Sequence, residues 1–214
     1  NVNGFHNLLK ACRKQNTPRI FWASTLAVFG DPTLYSGGIA YENSLRQPAT
    51  FYGLTKVLAE NIACFFRETH GLALTGLRLP LIFGPGLWYQ GVASEIKTLF
   101  EVAARGENAE LEARTEAIDL VYVKDVGRAF IHLTNHTDPL DLIYNLTAYS
   151  TSISSVADVI RKICPDSDIK VRHTESDLHY PVVNGDKLRK KTGFLCKFDL
   201  RTACEDYINE LTKA

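Results

Sequence analysis

Methionine is missing from all 214 residues of the chain, and the first residue is Asn1. The chain also opens directly on a helical pattern, with no capping residue ahead of it where helices ordinarily carry one. Both absences lead us to expect a segment of a longer protein. No apolar run comes near the roughly 20 residues that a membrane-spanning helix requires. The opening stretch NVNGFHNLLKACRKQN spaces its apolar residues as an amphipathic helix and lacks the longer apolar core of a signal peptide. Net charge is missing too: 24 Lys and Arg balance 24 Asp and Glu, which argues against nucleic acid or an acidic membrane as partner. Cysteine is scarce and unpatterned. Cys12, Cys64, Cys164, Cys196 and Cys204 are odd in number and form neither a C-x-x-C nor a Cys/His ligand spacing. We therefore expect unpaired thiols in a reducing compartment, no metal centre and a cytoplasmic protein. Asn135-His-Thr and Asn145-Leu-Thr match the glycosylation pattern, but no secretion signal accompanies them.

What is present is an ordinary globular composition, 45% hydrophobic and 22% charged, long enough for one core or one core and an annex. Val2, Phe5, Leu8, Leu9 and Cys12 predict a helix over 2–15. Residues 19–24 read as a buried strand, and the polar, Gly-rich stretch 30–50 as a long loop of the functional kind. A helix is expected over 51–69, closed by Gly71, with Leu54, Val57, Leu58, Ile62, Phe65 and Phe66 on its apolar face. One strand is expected over 73–83, stopped by Gly84-Pro85-Gly86. Then come a helix over 92–105, a strand over 120–123 and a helix with Asp125 near its start. A strand over 142–146 follows, then a helix capped by Ser154 or Ser155 and ending near Ile163, a strand over 169–171 and a helix over 200–211. Strands alternating with helices predict a parallel α/β sheet covered on both faces, with a smaller α+β lobe after about Phe83.

Tyr52 and Lys56 are four residues apart at the start of a helix, so both project from one face. A phenol with an ordinary pKa of about 10 is a poor acid–base group at neutral pH. A neighbouring ammonium favours the phenolate and brings the group toward its working range. Thr25 ends the strand at the carboxyl edge of a parallel sheet, where such folds hold ligands. Its hydroxyl could bind a substrate oxygen beside Tyr52.

The Y-x-x-x-K pair does not stand alone. Ala23-Ser24-Thr25 and Gly30 precede it, Phe51-Tyr52-Gly53-Leu54-Thr55-Lys56 contains it, and Leu77-Arg78-Leu79-Pro80 and Phe83-Gly84-Pro85-Gly86 follow. In this order and spacing the set resembles the extended short-chain dehydrogenase/reductase family, the NAD-dependent epimerase/dehydratases with UDP-glucose 4-epimerase-like members. Asn1-Val-Asn-Gly4, Val121-Tyr-Val-Lys-Asp125 and Tyr144-Asn145-Leu146 are similar to further family segments. The resemblance implies a Rossmann-like doubly wound parallel sheet with a smaller α+β substrate lobe. It places the rear part of the dinucleotide-binding domain in 1–84. The substrate lobe falls mainly in 85–214, with some elements returning to the first domain. It assigns catalysis to Thr25, Tyr52 and Lys56, and cofactor binding to Ser24, Tyr52, Lys56 and Pro80. It also implies that about the first hundred residues of such an enzyme, with the G-x-x-G-x-x-G phosphate turn, lie outside this chain; the isolated chain is then expected to bind dinucleotide poorly. NAD is expected from the family, with NADP open. Members commonly pair through the Tyr-x-x-x-Lys helix, so a homodimer is expected.

The resemblance also points to a sugar, foremost a nucleotide-sugar, as substrate. Leu81 replaces an Asn that touches such substrates, and Ile118 stands where a diphosphate-gripping arginine is expected; a second such arginine is expected before a G-D pair whose counterpart here is Ser176-Asp177, and Arg172 is nearby but out of register. Arg114 could substitute for them, and Trp88, with Tyr89 and Gln90, could line the cleft. Glu42 could orient the long loop; His173 and His179 read as structural. Leu26-Ala27 fills the place of a dehydratase's acidic pair, which ranks epimerase first and a simple dehydrogenase second. The segment from Tyr144 to Ile163 is also similar to short-chain L-threonine dehydrogenases, which act on a non-nucleotide alcohol. A non-catalytic NAD(P)-binding protein on the same fold is the remaining alternative.

Overall fold

A computed structural model describes residues 1–87, 94–114, 117–174 and 179–213. In chain order the first elements are α1 (Val2–Lys14), β1 (Ile20–Thr25), β2 (Ile39–Ala40), α2 (Phe51–His70), β3 (Leu74–Leu79), β4 (Leu81–Phe83) and α3 (Ser94–Ala104). After them come β5 (Ala109–Arg114), β6 (Ile118–Tyr122), α4 (Val123–Asn135), β7 (Ile143–Asn145), β8 (Tyr149–Thr151) and α5 (Ile153–Ile163). The chain finishes with β9 (Ile169–Thr174), β10 (Val182–Val183), α6 (Asp186–Thr192) and α7 (Leu200–Lys213). These elements form two compact units, one of residues 1–80, 129–147 and 178–195, the other of 81–128, 148–177 and 196–214.

The first unit is built on a parallel sheet in the order β1-β3-β7. Every residue of β3 is buried, as a central strand requires. Gly76 is needed there, because a Cβ would lie 2.6 Å from the Trp22 ring across the register. Leu9 of α1 and Ala59, Ala63 and Phe66 of α2 close one core over Ile20, Trp22 and Leu74. A second core gathers Leu26, Val28, Phe29, Tyr35, Ala40 and Val183 around the segment after β1. That segment is not the plain loop expected. It forms short 3-10 turns, and β2 pairs in parallel with β10.

The second unit has a three-stranded sheet, β4-β6-β8, and a parallel pair, β5-β9. Helices α3, α5 and α7 pack on a core in which Phe100 stacks on Phe83 at 5.7 Å and meets Tyr207 at 4.5 Å. Each such ring, fully buried, stabilises the unit by about 1.5–3 kcal/mol.

Three expectations change. The strand foreseen over 73–83 is two strands: β3 pairs with β1 and β7, and β4 pairs with β6. The break falls at Pro80, whose missing N–H cannot continue a ladder. The cap of α5 is Ser152, not Ser154 or Ser155; its hydroxyl accepts from the Ser155 N–H at 3.1 Å. The broad apolar face of α2 is only partly inward, with Leu54, Leu58 and Phe65 exposed beside Phe51.

Candidate active site

Helix α2 starts sharply because Thr50, extended at φ −125°, accepts the Gly53 N–H on its hydroxyl at 3.0 Å. It ends at Gly71, whose φ of 66° suits a residue without a Cβ. The first turn lies directly on the chain just past β1: a Cβ on Gly53 would come within 2.1 Å of the Ala27 carbonyl oxygen. This contact sets Tyr52 beside the end of β1. Thr25 is the last residue of that strand, opposite Leu79, and is half-buried. Its Oγ1 accepts from the Ala27 N–H at 3.2 Å, which leaves the hydroxyl proton for another acceptor.

Lys56 Nζ donates to the Ala23 carbonyl at 3.0 Å and stands 5.9 Å from the Tyr52 ring centroid. An ammonium has three donors, and among the described residues Ala23 takes one of them. Burial lowers the Lys56 pKa, and the charge of Glu60, one turn on, opposes that shift. Tyr52 itself is half exposed, at 50%.

Beneath this pair lies a polar cluster that the sequence reading passed over. Ser24 is buried, and its hydroxyl donates inward to Glu60 Oε1 at 2.7 Å. Arg78 of β3 grips Glu60 with Nε and Nη2, both at 2.8 Å, and Arg46 adds a third donor at 2.9 Å. Arg78 also donates to the Glu42 carbonyl at 3.0 Å and covers the Phe29 ring. Glu42 in turn accepts the Asn145 N–H at 2.9 Å, tying the segment before α2 to β7. Two signals pointed here: an Arg inside an otherwise apolar strand, and a Glu continuing the four-residue spacing after Lys56.

The structure thus gathers Thr25, Tyr52 and Lys56 at the carboxyl end of β1, while the Ser24 side chain turns away from that edge. Pro80 is buried immediately after β3. Leu81 opens β4 in the other unit, half-buried and opposite Leu120. Arg114 closes β5 opposite Thr174, and its side chain is outside what the structure describes. Trp88, Tyr89, Gln90 and Ser176-Asp177 lie outside the described residues. His173 is exposed on β9 and His179 half-buried. A cavity of about 450 Å³ sits at the opposite, amino ends of β1 and β3, between Arg19, Arg67 and Leu140. The guanidinium groups there donate to the carbonyls of Leu133, His136 and Leu140, so they brace the backbone.

The model of the NAD dependent epimerase/dehydratase family matches residues 1–147. The chain belongs to this family. UDP-glucuronate 4-epimerase 4 of Arabidopsis thaliana is 26% identical over 236 residues, a match covering 97% of this chain and 51% of that protein. The chain therefore spans about half the length of that relative. UDP-glucuronate 4-epimerase 3 of the same plant is 40% identical over 86 residues, covering 40% of this chain and 20% of that protein. Among solved structures, the L-threonine 3-dehydrogenase of Trypanosoma brucei superposes with a TM-score of 0.87 at 25% identity, covering 98% of this chain and 67% of that one. The UDP-N-acetylglucosamine 4-epimerase of Bacillus cereus gives 0.81 at 24%, with 98% and 70% covered, a likeness of fold. The fold is accordingly Rossmann-type α/β, as expected from the sequence, and membership implies an enzyme type that works with a nicotinamide cofactor. The donors present suit the nicotinamide-ribose end of such a cofactor: an ammonium and a phenol, on one helix face at the carboxyl edge of a parallel sheet.

Proposed function

We propose that the protein is an NAD(P)-dependent oxidoreductase of the epimerase kind, acting on a sugar hydroxyl, foremost that of a nucleotide-sugar, with Tyr52 as the proton-transfer group. The observation that carries this reading is Lys56 Nζ fixed on the Ala23 carbonyl and facing the Tyr52 ring at the end of β1. A bound nicotinamide would supply reversible hydride exchange with the carbinol carbon. Lys56 holds the ribose with its remaining protons, and its charge favours the phenolate of Tyr52. Tyr52 Oη takes the substrate's hydroxyl proton and gives it back. Thr25 donates its hydroxyl proton to the substrate oxygen and so keeps it in line with Tyr52. Pro80 flanks the cofactor, and Ser24, its hydroxyl committed to Glu60, serves through its backbone. Substrate binding is assigned to Leu81, Trp88 and Arg114 on the family resemblance. The unit carrying β1, β3 and β7 serves the dinucleotide and the other unit the substrate. We take NAD as the cofactor, the cytoplasm as the setting, and a homodimer through α2 as the assembly.

In the full-length gene product, Tyr52→Phe should abolish turnover of UDP-sugars while leaving nicotinamide dinucleotide binding within about twofold. Unchanged turnover in that variant would sink the catalytic role. Absence of turnover in the parent protein, with dinucleotide still bound, would favour a non-catalytic NAD(P)-binding protein.

A second reading, oxidation of L-threonine or a similar non-nucleotide alcohol, is favoured by Leu81 and Ile118, apolar where contacts to a nucleotide-sugar are expected. Reduction of NAD by L-threonine, and by no UDP-sugar, would select it.

A further inference from the structure

We propose that Glu60 is the positioning residue of the Tyr52–Lys56 pair: its carboxylate, clamped by Ser24, Arg78 and Arg46, fixes α2 on β1 and sets a negative charge one helical turn from Lys56. The inference rests on the catalytic reading of Tyr52 and Lys56. Two successive turns of α2 grip two successive residues of β1. Lys56 takes the Ala23 carbonyl and Glu60 takes the Ser24 hydroxyl. The helix cannot slide by a turn along the strand without losing both. Arg78 adds β3 to the same carboxylate, and Arg46 adds the segment before α2. One side chain therefore fastens its own helix to both neighbouring strands.

The charge does a second thing. Burial pushes the Glu60 carboxyl up, but the hydrogen bonds and charge of Arg78, helped by Ser24 and Arg46, outweigh it and hold the group below the usual carboxylate range. Glu60 is thus an anion at neutral pH. Lys56, whose own burial favours the neutral amine, sits four residues before that anion and is held toward the ammonium by it. The ionisable groups brought to this place are Tyr52 and Glu60 from α2, Arg78 from β3, and Tyr35, Glu42 and Arg46 from the segment between β1 and α2. β1 contributes the Ala23 carbonyl and the Ser24 hydroxyl. Arg78 is 2% exposed and Arg46 31%, so the two arginines differ in how much solvent weakens their effect.

The test measures the protonation of Lys56 directly. Competitive labelling with acetic anhydride across a pH series at low ionic strength, read at Lys56 by peptide mass spectrometry, gives its titration midpoint without cofactor or substrate. In Glu60→Gln the midpoint should fall by about one pH unit, a tenfold loss of proton affinity. In Arg46→Gln, a partly exposed substitution that leaves the Arg78 clamp in place, the midpoint should rise by a few tenths of a unit. These opposite shifts are not produced by simple loosening of the fold. If Glu60→Gln is too unstable alone, its Lys56 midpoint is read in a stabilising osmolyte, with the parent protein measured alongside under the same conditions. A Lys56 midpoint that moves in neither variant overturns the proposal. Shifts as described, in a protein whose full-length form turns over no alcohol, would leave the positioning intact and sink the catalytic reading alone.

Discussion

Gly53 has no room for a side chain. A Cβ there would stand 2.1 Å from the Ala27 carbonyl oxygen and 2.8 Å from the Pro48 side chain. The nearest atom is backbone, so it cannot turn aside. Gly53→Ala should destabilise the protein by about 1–3 kcal/mol, read from urea unfolding, and should weaken the Lys56–Ala23 contact by lifting the first turn of α2 off the strand. At this scale the sequence was half legible. Thr25, Tyr52 and Lys56 were picked out because a hydroxyl, a phenol and an amine stand at a spacing suited to proton transfer, and the structure brings them to the end of β1. Ser24 was assigned to the cofactor, and the structure turns its hydroxyl inward. Glu60 and Arg78 were not foreseen as partners. They lie 18 residues apart on a helix and a strand, and only the packing of α2 against the sheet brings them together.

Among the elements, helices were the easier reading. Periodic apolar residues place α1, α2, α5 and α7 within a few residues, and Gly71 stops α2 as a left-handed residue. β2 and β10 were missed because two residues show no period, and their partners lie more than 140 positions apart. Pro80 was read through because apolar residues continue on both sides of it. The face of α2 was overfilled for a different reason: hydrophobicity tells that a side chain prefers cover, not which partner gives it. Phe51, Leu54, Leu58 and Phe65 are 80%, 43%, 42% and 56% exposed and share that helix. If this face joins two copies, Leu58→Asp should turn a dimer into a monomer by light scattering while leaving the melting temperature of the monomer nearly unchanged. A parent protein that is already monomeric at micromolar concentration would remove the dimer from the proposal.

For the molecule as a whole, neither compact unit is one continuous stretch of chain. The first takes residues 1–80, then 129–147, then 178–195. A peptide of residues 1–84 would carry α1, β1, β2, α2, β3 and β4, yet it would lack β7 beside β3 and β10 beside β2. It would also strand Arg19 and Arg67, whose guanidinium groups hold the carbonyls of Leu133, His136 and Leu140. Circular dichroism should show no cooperative melting for that peptide, in contrast to the whole chain. A sharp transition from 1–84 alone would mean that the β1–β3 sheet is self-sufficient. The family resemblance led us to expect that some elements return to the first domain, but which ones do was not legible, because no local pattern tells a strand which of two sheets it will join.

Pro80 gives the chain a seam. On one side of it a strand belongs to the sheet that carries Thr25 and meets the Tyr52 helix; from the very next residue, Leu81, the chain is pairing with β6. The residue at the seam offers no N–H to either ladder, so neither sheet dictates the register of the other through it. Descent with modification can exploit such a joint. Ser24, Glu60 and Arg78 all lie before the seam, so changes in the segments past it leave the residues of that clasp untouched.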